Sequence, residues 1–332
     1  MSHLHVRRAG SGLVLFLASV AATLPLPAQD LIDLVSTCGA PSEAHMAWCQ
    51  EAALAAQAAQ GALGLAASGG IDLPGAASTL GWRTKGSPRF ALSVWGSMTR
   101  APMPAMNSPG DLPSGEATAS IPALHLSGTV GLFDGFSLGP TVGGFGSLDL
   151  SVAGQWTRKP EKGGFQDGAA GWGVGGRIGL FRESFSLPGL SVTAFHRFLG
   201  DHSLWQVAGD DPVEAAFDLQ ASSLRAMVGK DLWGIGFFGG FGWDRYLGDV
   251  SLVVSDPSGG SVDSAGAGEV RSSRRVAFVG ASRTFLTLQL SGEVGWGEGF
   301  EPNLPDSSVS GPHAFDPSSA SYFGSLALRL TF

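Results

Sequence analysis

Beyond Pro74 apolar and polar residues alternate with a period of two, the spacing of a strand whose faces meet different environments. Ten spans carry it, near 89–101, 121–133, 146–158, 170–182, 189–199, 216–230, 233–247, 273–284, 286–298 and 320–332. In the first, Phe90, Leu92, Val94 and Met98 share one parity; Ala91, Ser93, Ser97 and Thr99 share the other. In the third, Leu148, Leu150, Val152 and Trp156 oppose Asp149, Ser151 and Gln155. In the last, Tyr322, Leu326, Leu328, Leu330 and Phe332 oppose Ser325, Ala327, Arg329 and Thr331. The sixth span keeps an apolar face only if parity switches near Ser222-Ser223, which predicts a bulge. The eighth is ambiguous, because Val276/Phe278 and Ala277/Val279 are apolar on both parities.

The links alternate in length. Those at 102–120, 159–169, 200–215, 248–272 and 299–319 are long and rich in Pro, Gly, Ser and Asp; the intervening ones are short, with 134–145 the longest. Short turns at one end and long loops at the other are expected of a membrane barrel. Trp156, Trp172, Trp243, Tyr246, Trp296 and Tyr322 fall at loop-side ends, and Phe90, Phe133, Phe181, Trp233, Phe285 and Phe332 at turn-side ends. They read as two interfacial girdles. The expected fold is all-β: a transmembrane antiparallel up-and-down β-barrel of about ten strands, preceded by one Ala-rich helix. Residues 79–83 could add a strand, which makes twelve the alternative, since bacterial barrels favour even counts.

Composition agrees. Fifty of 332 residues are Gly, about twice the usual fraction, and charged residues are only 14%. There is no apolar run of the length a spanning helix needs. The start reads as a signal peptide over 1–28: His3, His5, Arg7 and Arg8, then an apolar core at 13–20, with possible cleavage after Ala21 or Ala28. Without Arg7 and Arg8 the balance is 18 basic against 28 acidic residues, so nucleic acid is not an expected partner. Cys38 and Cys49 are the two cysteines, and in an exported chain they are expected to pair, for about 3 kcal/mol of loop entropy. Residues 42–66 form the one convincing helix, capped around Pro41-Ser42-Glu43 and ended by Gly69-Gly70. The expected divisions are signal 1–28, a periplasmic or lumenal helical segment 29–75, and a barrel 76–332. A ten-strand lumen is expected to be too tight for the helix, so a plug would favour twelve strands or more.

Parity assigns His125, Asp149, Gln155, Arg177, Arg197, Asp218, Arg225, Glu293 and Arg329 to the lumen. Their mixed signs read as a filling network or as a polar path for a solute. His125, Ser127 and Asp149 could serve a rim nucleophile, and His196 has lipid-facing parity, but no serine is evidently paired with it. Gly171 to Gly176 matches a Gly-x-Gly-x-x-Gly pattern but lies in a strand with no helix after it, so dinucleotide binding is not expected. Asp210-Asp211 and Asp256 to Asp263 could attract a cation, although solvated loop acids are the plainer reading. No cofactor, metal or enzymatic activity is expected.

The alternating strands, the rim aromatics and the ending through Tyr322, Leu328, Leu330 and Phe332 together resemble Gram-negative outer-membrane β-barrel proteins. That resemblance implies an outer-membrane location, contact with membrane lipid, and insertion by the barrel-assembly machinery through the C-terminal strand. An N-terminal helix before the barrel also resembles the layout of long-chain fatty-acid transporters with a hatch. The functional expectation is a passive channel or transporter-like barrel for a small solute of unknown identity. A structural or surface-interaction barrel using long loops is the alternative, and a rim lipid hydrolase the third reading.

Overall fold

The computed structural model describes residues 30–39, 43–70, 75, 77–82, 86–104, 116–139, 142–158, 165, 168–204, 213–254, 264–300 and 315–332. The signal segment and the acids at 210–211 and 256–263 lie outside the described residues. Among those residues ten antiparallel strands close a barrel: β1 (Phe90–Pro104), β2 (Glu116–Phe133), β3 (Ser147–Thr157), β4 (Ala169–Phe181), β5 (Gly189–Leu204), β6 (Val213–Leu232), β7 (Ile235–Val254), β8 (Ser264–Phe285), β9 (Leu288–Gly297) and β10 (Ser321–Thr331). Each strand pairs with its neighbours in sequence, and β1 closes on β10 from Ala91↔Thr331 to Arg100↔Tyr322. Closure leaves no strand edge unpaired, which a lipid environment requires. Of the expected extra strand at 79–83, the described residues 79–82 contribute only an isolated bridge, from Trp82 to Pro88.

At the turn mouth, two connections are very tight. Trp233-Gly234 and Leu286-Thr287 join their strands, with Trp233, Gly234 and Leu286 at positive φ, as two-residue hairpin turns need. The wall is uneven at the loop mouth. β6, β7 and β8 have 20, 20 and 22 residues, against 11, 10 and 11 for β3, β9 and β10. Much of the expected 248–272 loop is therefore strand, and β5 to β8 rise as a tall flank.

Outward residues of the lower wall are large and apolar. Leu92, Val94, Leu124, Leu126, Leu290 and Val294 are each about half exposed, a belt made for acyl chains. Trp156, Trp172, Trp243, Trp296 and Tyr322 rim it on the loop side. Tyr246, expected in that girdle, is instead fully buried in the lumen, because it shares parity with Asp244 rather than with Trp243.

Among the described residues two helices precede the barrel, α1 (Asp30–Thr37) and α2 (Glu43–Ser68), tied by the Cys38–Cys49 disulfide. α1 sits on the loop end of β8, where the Thr37 hydroxyl accepts the Ala267 N–H at 3.2 Å. From there α2 descends through the lumen. Gln60 meets Val270 and Ser272, Gly64 meets Tyr246, and Ser68 meets Asp244. The chain continues to the turn mouth, where Gly75 meets Ser282 and Gln289, and Leu80 meets Asp149. The described residues from 30 to 82 thus run through the barrel from loop mouth to turn mouth. Ten strands do hold the helix, contrary to the expectation above. Its surface is the reason: Ala52, Ala53, Ala55, Ala56, Ala59 and Ala62 are all buried, so the wall closes almost onto the helix backbone.

Candidate functional site

The lumen is the candidate site, and its two halves differ in chemistry. Its loop-side half is apolar. Leu31, Leu34, Leu54 and Leu63 of the helices pack with Met103, Ile121, Leu204, Phe217, Leu219, Val250, Leu252, Val254 and Val270 of the wall in one buried cluster. Phe165 and Phe315 close it from above. Burying the four leucines alone is worth on the order of 8 kcal/mol. Glu51 is buried on the same helix, and desolvation raises its carboxyl from the ordinary range to about 7.

The alternation along the wall inverts at this half. On β6 Phe217 and Leu219 point in while Asp218 and Gln220 point out; lower down, Ser223 and Arg225 point in while Leu224 and Val228 point out. Inward and outward positions alternate throughout without a break, and the β6–β7 register is unshifted from Val213↔Val254 to Leu232↔Ile235. No bulge lies at Ser222-Ser223. The environments exchange instead: below, lipid is outside and polar groups inside; above, water is outside and the helix inside. For the same reason Asp218, expected in the lumen, is half-exposed on the outer face.

The turn-side half gathers the other expected lumen residues, polar groups set around a smaller apolar patch of Leu65, Ala77, Met227, Phe238, Val276, Phe278 and Phe323. His125, Asp149, Gln155, Arg177, Arg197, Arg225, Glu293 and Arg329 are all buried there or just above. His125 stacks on Trp95 at 4.8 Å and shares a hydrogen bond with Ser97. Arg177 donates to Thr193, and Arg197 donates to Ser223 and lies over the Phe195 ring. Asp149 accepts the Leu80 N–H at 2.9 Å, which pins the threading segment.

The strongest knot is centred on Asp244, which parity assigns to the lumen once Trp243 is placed in the girdle. Its carboxylate accepts two bonds from Arg225 (2.5 and 2.9 Å), one from Tyr246 (2.9 Å) and one from Ser68 at the end of α2 (2.7 Å). A fully buried carboxylate needs such a set. Arg274 lies over the Tyr246 ring at 5.5 Å, beside Gly61. Below, residues 78–82 are tied to Glu183, Ser147, Asp149 and Asp134. The space beside Leu63, Gln155, Thr157 and His202 is too small to hold a water molecule.

On the outer wall, His196 Nδ1 and Ser222 Oγ are 2.8 Å apart. That supplies the serine the sequence left unassigned. A working nucleophile also needs a group to orient the imidazole and donors for an oxyanion. Among the described residues no carboxylate is bonded to His196, and no group of three or more His, Cys, Asp or Glu is placed to hold a metal.

No family model matches the chain, and no curated protein does. Solved structures of similar shape are the outer membrane protease OmpT of Escherichia coli (10% identity over 77% of this chain and 100% of that one, TM-score 0.37) and the translocator domain of the autotransporter NalP of Neisseria meningitidis (12%, 74% and 88%, 0.40). Neisserial surface protein A is a third (11%, 73% and 97%, 0.30).

Proposed function

We propose that the protein is an outer-membrane barrel of a Gram-negative bacterium, sealed by its own N-terminal segment and acting at the cell surface as a structural or interaction barrel. The apolar seal between α2 and the loop-side wall carries this reading. Long loops face outward in such membranes, so α1, the disulfide and the raised flank of β5 to β8 stand outside the cell. Ejecting the helix would expose the seal to water, a cost no small solute could offset on binding. Lipid around the apolar belt is one partner. The assembly machinery is another, reached through β10, whose Tyr322, Leu328 and Leu330 face outward beside Phe332.

Planar-bilayer recording of the refolded chain lacking 1–28 tests the reading. A silent bilayer is expected from protein shown to be folded by its heat-modifiable gel mobility. Steady conductance from that same protein would overturn it. The second reading, a solute channel gated by the helix, draws on the polar turn-side half. In that case loosening the Asp244 knot by Asp244→Asn gives conductance where the parent gives none.

A further inference from the structure

Just above the loop-side girdle, the outer wall carries a row of polar groups across four adjacent strands. His196 on β5 pairs with Ser222 on β6, Ser222 with Arg245 on β7, and Arg245 with Ser273 on β8. Arg271 and Arg275 lie on either side of Ser273 along the same outward face of β8. Trp243, directly opposite Arg275, marks the edge of the apolar belt beneath them.

We propose that this row binds the phosphate of a lipid headgroup in the adjacent leaflet. Three arginines on two neighbouring strands of an acidic protein invite an anion. Their height restricts which one. An outward arginine deeper in the belt would meet acyl chains at a large cost; at the aromatic rim that cost nearly vanishes and headgroup phosphates lie alongside. Guanidinium forks match phosphate oxygens, and the Ser273 hydroxyl between them and the Ser222 hydroxyl beside Arg245 are further donors.

Two carboxylates compete for these arginines. Glu269 pairs with Arg271, and Glu298 lies 3.9 Å from Arg275. Both pairs are solvent-exposed, and exposed pairs hold their partners weakly, so a phosphate can draw the guanidiniums away. Among the described residues Arg245, at the centre of the row, has no carboxylate within ion-pair distance. The proposal requires only that this wall sits in a bilayer; it does not depend on the lumen being sealed.

Native mass spectrometry of the refolded full chain, titrated with phosphatidylglycerol in detergent, provides the test. Replacing Arg245, Arg271 and Arg275 together by Gln is expected to weaken the first lipid-binding event about tenfold or more, and Arg245→Gln alone about threefold. Arg100→Gln, three strands away on β1, is expected to leave it unchanged. If the triple variant does not fold, Arg245→Lys reports instead: it keeps the charge but loses the fork, and weakening of about twofold is expected. Unchanged retention in the triple variant, or in Arg245→Gln and Arg245→Lys where the triple variant is lost, overturns the site. Equal loss in Arg100→Gln reduces it to general surface charge. Displacement of the lipid by equimolar inorganic phosphate overturns the headgroup assignment in favour of a free anion.

Discussion

The two halves of the lumen hold the same chain segment by different physics. Above, α2 meets leucine, valine and phenylalanine, and apart from the Gln60 bonds to Val270 and Ser272 the contact is non-directional. Below, Leu65 and Ala77 still pack on Met227, Phe238, Phe278 and Phe323, but the last helical turn and the stretch to Trp82 are also fastened by individual hydrogen bonds, donated to the carboxylates of Asp244, Asp149 and Asp134 and received from the Gln289 amide. The loop-side half therefore excludes water, and the turn-side half fixes depth and register. A helix held by the seal alone could slide; one held by the knots alone would leak.

The most severe way to break the comparison is to put charge into the seal. Leu54→Asp with Leu63→Asp buries two unpaired carboxylates, each costing several kcal/mol. Expected are ion conductance in planar bilayers and digestion of the 43–68 segment by externally added protease. A silent, resistant double variant would mean that the knots alone seat the helix. Next in size is Asp244→Ala, which removes the carboxylate that Arg225, Tyr246 and Ser68 share. A loss of about 3–5 kcal/mol is expected from removing one partner of such a buried set, read from the urea midpoint in detergent. Asp244→Asn keeps the shape and is expected to lose less. The same loss from Asp134→Ala, whose partner Arg182 is more exposed, would show that burial does not set the scale here.

Both halves were written in the sequence, with unequal clarity. Strands such as β1, β3 and β10 were legible because lipid outside and polar groups inside give a clean alternation at Leu92/Ser93 or Leu330/Arg329. The ends of β5 to β8 that fall in 200–215 and 248–272 read as loops, and within the expected strand 216–230 the inverted alternation reads as a bulge, because Phe217 and Leu219 carry apolar parity that belongs to the lumen, not to lipid. Treating that inversion as a change of solvent instead of a bulge would have placed Asp218 outside. The helix was legible as a helix, but its place was not. An alanine surface has no face that names its partner. Asp244 and Tyr246 were missed together, since assigning Tyr246 to the girdle hid the parity it shares with the carboxylate.

At the boundary between the halves, Gly64 lies against the Tyr246 ring, where an added Cβ would overlap ring atoms. Gly64→Ala is expected to push the ring off Asp244 and cost about 1–3 kcal/mol, as overpacking does. The Tyr246→Leu background sharpens this. There the clash is relieved, so the alanine is expected to cost much less, and equal costs in both backgrounds would place the strain elsewhere.

The smallest effect concerns the one acid buried among the seal's apolar groups. Glu51 in the folded protein holds its proton up to about pH 7, against 4.5 for the ordinary carboxyl. Its folded value is raised, so the folded state binds the proton more tightly than the unfolded chain. The contribution is full below pH 4.5 and fades as pH rises through 7, where the carboxyl ionises among alanines and leucines. One pKa unit is about 1.4 kcal/mol, and residual solvent screening reduces the total, so a loss of about 1–2 kcal/mol between pH 4.5 and 8 is expected from this group. Glu51→Gln keeps the shape and removes the titration. Urea midpoints measured from pH 4.5 to 8 are expected to fall less for the variant than for the parent, with the variant ahead at pH 8. Parallel profiles would show that Glu51 reaches water through the loop mouth, and that the dry half begins deeper, below Gln57.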